Sequence, residues 1–296
     1  MLRTDDQVFS IFQSKAGIIW IGTFNGLAYG TRSLFSRVDS ETGSSGDSIN
    51  TFAEDGDGRI WIGTNSGIHI YDPRGGTSDH YQPATAINEK ISSQLVMSLL
   101  IEDESLWIGT LDAGLNRFSF ENNKVETYKK RISDEGSLKA DGITSIVRAS
   151  NGNLLVGTYG GGLSVFIEKS KSFKTYLFDP NNPDSISSNN VIAISEDSAG
   201  DIWIGTENGL NFFDDSAEIV KFKGFKSSLD DPESLSSNMP WALHEDKSGT
   251  LWIGTQSGGL NSWTRDDRRR KINRFSQYLE SINLPSADVY AITSDS

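Results

Sequence analysis

Apolar and polar residues alternate in short runs that return in the same order six times. Each unit opens with an alternating run such as Thr51-Phe52-Ala53-Glu54 and turns on a glycine-containing segment. It then runs through Leu or Ile into Trp-Ile-Gly-Thr, turns on glycine again, and starts a third apolar run with Leu or Ile. Period-two alternation bounded by Gly, Asp and Asn describes strands joined by tight hairpins. A fourth short run follows at Val125 to Tyr128, Phe173 to Tyr176, Val220 to Lys223 and Ile272 to Phe275. The glycine after the Trp-Ile pair falls at Gly22, Gly63, Gly109, Gly157, Gly205 and Gly254, spaced 41, 46, 48, 48 and 49 residues apart. Four antiparallel strands per period of that length make a propeller blade.

The expected fold is therefore all-β: a β-propeller of four-stranded antiparallel blades in one domain over residues 1–296. Its repeats run roughly over 8–48, 49–92, 93–140, 141–188, 189–237 and 238–285, with a partial one at 286–296. Ala287 to Ser296 reads as the first strand and turn of a further unit, with an unpaired inner strand at Val289 to Ile292. A parent ring of seven blades within a longer protein is the expectation.

The first turn is cleanest at Asp55-Gly56-Asp57-Gly58. Alternating oxygen ligands there look like a calcium loop, but the remaining ligands and the closing Glu are missing. Asp at the first and Gly at the fourth position suit a type I hairpin turn, in which the carboxylate caps backbone amides. The fourth unit breaks the pattern, with Leu155 where the others carry Trp. Trp and Gly two apart face the same side of a strand, so ring and bare backbone together set how closely the next blade approaches. Polar linkers such as Asp184-Ser185-Ile186-Ser187-Ser188-Asn189-Asn190 and Glu233-Ser234-Leu235-Ser236-Ser237-Asn238 each carry one apolar residue, expected to plug the gap between blades.

Composition narrows the function. A formal charge of −13 opposes a nucleic-acid or anionic membrane partner. The absence of cysteine removes disulfides and thiolate metal sites. No apolar run reaches the roughly 18 residues of a spanning helix, so no membrane insertion by this segment is expected.

The recurring Glu-Asp-x-x-Gly-x-Leu/Ile-Trp-Ile-Gly-Thr-x-x-Gly-Leu, as in Glu196 to Leu210, followed by Asp-x-x-Ser-Leu-Ser-Ser-Asn-x-Val, resembles the two-component regulator propeller repeat. That resemblance covers essentially the whole chain. It implies a periplasmic sensor propeller of a bacterial membrane-anchored hybrid histidine kinase or diguanylate cyclase, non-catalytic in itself, without cofactor. Its implied partners are an oligosaccharide or other small ligand, the parent's other domains, and a second copy in a homodimer.

Candidate chemistry lies where repeats differ. With antiparallel strands, the strand-two-to-three hairpins and the inter-blade linkers emerge at one end of the blades, and the Asp-x-x-Gly turns at the other. Hairpin positions Phe24, Asn25, Asn65, Asp112, Tyr159, Glu207, Asn208 and Gln256 vary, as do linker positions including Asn190 and Trp241. Amides and carboxylates beside aromatic rings suit a sugar. The candidate ligand-binding residues are Asp112, Tyr159, Asn190, Trp241 and Gln256, around a polar pocket at the mouth of the central channel.

An enzyme is the weaker reading, as a propeller lyase or glycosidase, and a protein-interaction scaffold is a third. The three histidines, His69, His80 and His244, have no ligand spacing. Carboxylate pairs such as Glu54-Asp55 and Glu245-Asp246 recur with the turn, whereas a catalytic pair should be unique. The Asp-x-x-Gly turn also resembles the Asp-box of sialidases, although its spacing to the aromatic differs. Arg268-Arg269-Arg270-Lys271, the basic run, is expected to be a solvated loop.

Overall fold

The computed structural model describes residues 7–31, 34–37, 47–72, 81–214, 220–278 and 287–294. It is a six-bladed, all-β propeller of four-stranded antiparallel sheets. Contacts divide it into two compact units, one of residues 1–130, 141–146 and 293–296, the other of 131–140 and 147–292.

The first unit holds three sheets. They comprise β1 (Val8–Gln13), β2 (Ile19–Thr23), β3 (Gly26–Thr31) and β4 (Leu34–Arg37); then β5 (Ile49–Glu54), β6 (Ile60–Thr64), β7 (Gly67–Tyr71) and β8 (Tyr81–Pro83). A single helical turn, α1 (Thr85–Asn88), leads to β9 (Val96–Ile101), β10 (Ser105–Thr110), β11 (Leu115–Ser119) and β12 (Val125–Tyr128). The other sheets are β13 (Gly142–Arg148), β14 (Leu154–Tyr159), β15 (Leu163–Ile167) and β16 (Ser172–Tyr176); β17 (Val191–Glu196), β18 (Ile202–Thr206), β19 (Gly209–Asp214) and β20 (Lys221–Phe225); and β21 (Pro240–Glu245), β22 (Leu251–Thr255), β23 (Leu260–Trp263) and, after the short helix α2 (Arg265–Arg269), β24 (Ser276–Tyr278).

Each core is a seam between consecutive blades. Trp20 and Leu27 of the first pack with Ile49, Ile60 and Ile62 of the second. Leu155 and Leu163 of the fourth pack with Val191, Ile202 and Ile204 of the fifth, and Trp203 and Phe225 of the fifth with Leu251 and Trp263 of the sixth. The recurring glycine permits this approach. A Cβ on Gly22 would stand 2.6 Å from Ile49, on Gly63 2.7 Å from Val96, on Gly109 2.6 Å from Ile143, and on Gly205 2.5 Å from the Pro240 carbonyl oxygen. The linker residues Leu138, Ile186 and Leu235 are fully buried, as the plug reading requires.

Each polar residue of the repeat has a bonding role. The threonine that ends the second strand donates its hydroxyl to the hairpin glycine carbonyl in all six blades. The turn aspartate accepts two turn amides on Oδ1 and the indole Nε1–H of the tryptophan six residues on through Oδ2. Those indole bonds measure 2.9 Å at Asp55–Trp61, 3.0 Å at Asp197–Trp203 and 2.8 Å at Asp246–Trp252. The third blade shortens its turn by one residue and lengthens the side chain by one methylene, so Glu102 reaches Trp107 at 2.8 Å. A buried asparagine of the third strand clasps the preceding linker: Asn211 bonds Ser187, and Asn261 bonds Ser236, each through both backbone amide and hydroxyl.

Three expectations shift. The fourth strand of the sixth blade is Ser276–Tyr278 rather than Ile272 to Phe275, because α2 occupies the preceding stretch. The basic run is not a solvated loop throughout, since Arg268 in α2 has a side chain only 8% exposed. Val289 to Ile292 is not a strand: it lies in irregular backbone against the sixth blade, with the Val289 amide bonded to the Thr255 carbonyl.

Candidate functional site

The hairpins and linkers do emerge together, because they bond to each other. The Asn189 carbonyl accepts the amides of Gly160 and Gly162, and the Asn238 carbonyl that of Gly209. Gly160 (φ 89°) and Gly162 (φ 69°) hold a left-handed conformation that closes this hairpin at no steric cost. Tyr159 thereby pairs with Asn190 as an isolated antiparallel bridge. The Asn190 amide nitrogen donates to Glu207 at 2.5 Å. Glu207 also accepts the Tyr159 hydroxyl, and this bond to a negative carboxylate raises the phenol above its ordinary value.

Tyr159 and Asn190 are thus brought together, with Glu207 joining them. Glu207 stands among the variable hairpin positions, but neither its spacing nor its type marked it as the member linking two others. Tyr159 is 55% exposed, so a phenol ring, an amide and a carboxylate meet at an accessible tip. Trp241 stacks instead on Tyr290, with ring centroids 4.3 Å apart. Gln256 is half-buried and its backbone N–H donates to the Met239 carbonyl. Asp112 lies exposed on the β10–β11 hairpin of the first unit.

None of the five expected residues lines the cavity found at the opposite, turn end of the fifth and sixth blades. This space of about 380 Å³ has Trp203, Phe212, Phe225 and Trp263 for its apolar wall, and Lys223, Arg265, Arg268, Arg269 and Lys271 around it. The rings form one cluster, Trp203 lying 5.3 Å from Phe212 and from Trp263, and Phe225 4.9 Å from Trp263. Arg268 lies over Trp203 at 5.9 Å and pairs with Glu245 at 2.5 Å and Asp197 at 3.4 Å. Burial pushes the Glu245 carboxyl up, but bonds from Ser198 and the Arg268 charge outweigh it and leave that group below its usual range. Among the described residues no three His, Cys, Asp or Glu side chains converge as metal ligands, and no helix is long and apolar enough to cross a membrane.

Blades of this construction, with a Trp-binding aspartate in the turn and a glycine against the next blade, define a class of repeat propeller. The sequence profile of the two component regulator propeller matches four segments of the chain, residues 3–25, 43–66, 185–208 and 234–257. No curated protein matches it. Among solved structures it resembles the extracellular domain of a hybrid two component system from B. thetaiotaomicron, at TM-score 0.76 and 22% identity over 99% of this chain and 36% of that one. A second such domain from the same organism gives 0.73 and 23% over 99% and 38%. Virginiamycin B lyase from Staphylococcus aureus matches at 0.65 and 13%, over 96% of this chain and 87% of that one. These likenesses concern the fold, and the chain spans little more than a third of the two sensor domains.

Proposed function

We propose that the chain is an extracytoplasmic, periplasmic sensing module that binds a small polar ligand such as an oligosaccharide and does no chemistry on it. In this reading it serves a membrane-anchored parent with a kinase or cyclase output. The observation that carries it is the division of labour among the polar residues. The repeated aspartates, threonines and asparagines are engaged in holding turns, hairpins and linkers. What varies is the hairpin end, where Tyr159, Asn190 and Glu207 offer donor, acceptor and ring face together, as a sugar requires. The repeat family supports the signalling context.

A ligand can drive signalling only if it prefers one arrangement of propellers or protomers over another. The test is to titrate the purified chain with neutral oligosaccharides while monitoring melting temperature and products. Binding without turnover that is lost in Glu207→Ala supports the reading. Hydrolysis or elimination products would move the chain to the lyase or glycosidase alternative.

A further inference from the structure

The turn-end cavity is built by a departure from the repeat. In the fourth blade four residues separate the third and fourth strands, and in the fifth blade six; in the sixth, twelve residues containing α2 intervene. A stretch that recurs in every blade serves the fold, whereas one present in a single blade is free to serve a ligand. Residues 264–274 carry six cations against two carboxylates, in a chain of net charge −13.

Several of those cations are already neutralised. Arg268 holds Glu245 and Asp197, Arg274 holds Asp267 at 2.7 Å, and Arg265 lies 3.7 Å from Glu245 and bonds the Ser198 hydroxyl. Arg269 and Lys271 differ. Both are exposed, both line the cavity, and neither has an ion-pair partner among the described residues. Lys223 joins them from β20, its ammonium 4.9 Å over the Phe225 ring and 3.4 Å from the Asn273 amide oxygen.

We infer that this cavity binds a small organic anion carried on a ring with an apolar face, the anionic group held by Arg269, Lys271 and Lys223 and the ring laid against the Trp203–Phe212–Phe225–Trp263 wall. Unpaired guanidinium and ammonium groups beside an apolar wall are what a carboxylated or sulfated ring needs. The charge is met by charge-assisted hydrogen bonds, and the flat face leaves water. The buried Arg268 pairs fix α2 over the wall, so the cavity exists before the ligand arrives. The inference concerns the end of the blades opposite Tyr159 and Glu207, and it stands whether or not the hairpin end binds a neutral sugar.

The test uses the purified chain and isothermal titration with three probes. Cellobiouronate and phenylacetate are anions on a sugar and an aromatic ring, and cellobiose is the neutral partner of the first. The expected result is binding of at least one anion, weakened by added salt and at least tenfold in Arg269→Gln/Lys271→Gln, with Lys223→Gln weakening it less. Both altered residues are exposed, so an unchanged melting temperature verifies that the variant is folded. Which anion binds names the source of the charge. Binding by neither, equal binding of cellobiose at this site, or unchanged affinity in the double variant overturns the proposal.

Discussion

At the scale of single residues, the carboxylate–Trp pair, Asp in three blades and Glu102 in the third, is the unit that the repeat preserves, and the two blades without it show why. Where the fourth blade lost its tryptophan to Leu155 it also carries Ala149 in place of the aspartate, so neither group is stranded. The first blade kept Trp20 but has Ser14 at the acceptor position, and the buried indole nitrogen has no partner among the described residues. Ser14 keeps part of the turn bonding of Asp55, its amide donating to the Ile18 carbonyl and its hydroxyl accepting the Ile18 amide. Ser14→Asp should therefore supply the missing acceptor and stabilise by about 1 kcal/mol, the net worth of a typical hydrogen bond. A denaturant midpoint that falls instead would show that desolvating the new carboxylate costs more than the bond returns.

The same pairs set the acid limit. Burial raises the Asp246 carboxyl, but bonds from Ser248 and Trp252 outweigh it and bring it down to about 2; Asp55 is likewise lowered. For depressed carboxylates the stabilisation is complete above the unfolded value of roughly 4 and is lost as pH falls toward 2. Melting temperature should drop through that window, and Asp246→Asn should flatten the drop. A wild-type curve level between pH 5 and 2 would contradict this. Trp107, fully buried, should cost about 3–5 kcal/mol as Trp107→Ala. Trp252 is only partly buried, against Tyr278, and Trp252→Ala should cost less.

Among the elements, what decides stability is how closely blades approach. Gly205→Ala places a methyl 2.5 Å from a backbone oxygen of the next inner strand, which cannot rotate away, whereas Gly56 has nothing within 4 Å. Overpacking of that kind costs about 1–3 kcal/mol. Paired chemical melts should separate Gly205→Ala from Gly56→Ala, and equal stability would mean that the blades can move apart freely. Asn261→Ala should cost a similar amount by stranding the Ser236 amide.

Blade number, strand order and the plugging linker residues were legible in the sequence because they rest on periodicities that repeat six times. The clasp by Asn116, Asn211 and Asn261 was not, since each partner lies some 24 residues away in sequence and the position is Ala28, His69 or Ser164 in other blades. Helix α2 escaped for a related reason. Five residues capped by Thr264 and rich in charge have no apolar period to read, and the burial of Arg268 depends on Glu245 arriving from the end of β21 and Asp197 from the turn after β17. Of the candidate site, the hairpin positions of Tyr159 and Asn190 were readable as breaks in the repeat. Their junction at Glu207 depended on a bridge between the fourth and fifth blades.

Across the whole molecule, recurring polar residues hold the blades, and the proposed ligand contacts fall at departures from the repeat. A similar fold serves a lyase, so architecture alone does not choose between sensing and catalysis. A measurement that reads binding and turnover together does. The purified chain should be melted across a panel of oligosaccharides, with products analysed from the same samples. At a ligand concentration of about 100 times Kd, mass action stabilises the folded chain by about 2.7 kcal/mol, which would appear as a melting shift of several degrees. The account predicts that shift for at least one oligosaccharide, its loss in Glu207→Ala, and recovery of the ligand intact. Product release by the wild-type chain, or a shift indifferent to Glu207, would contradict it.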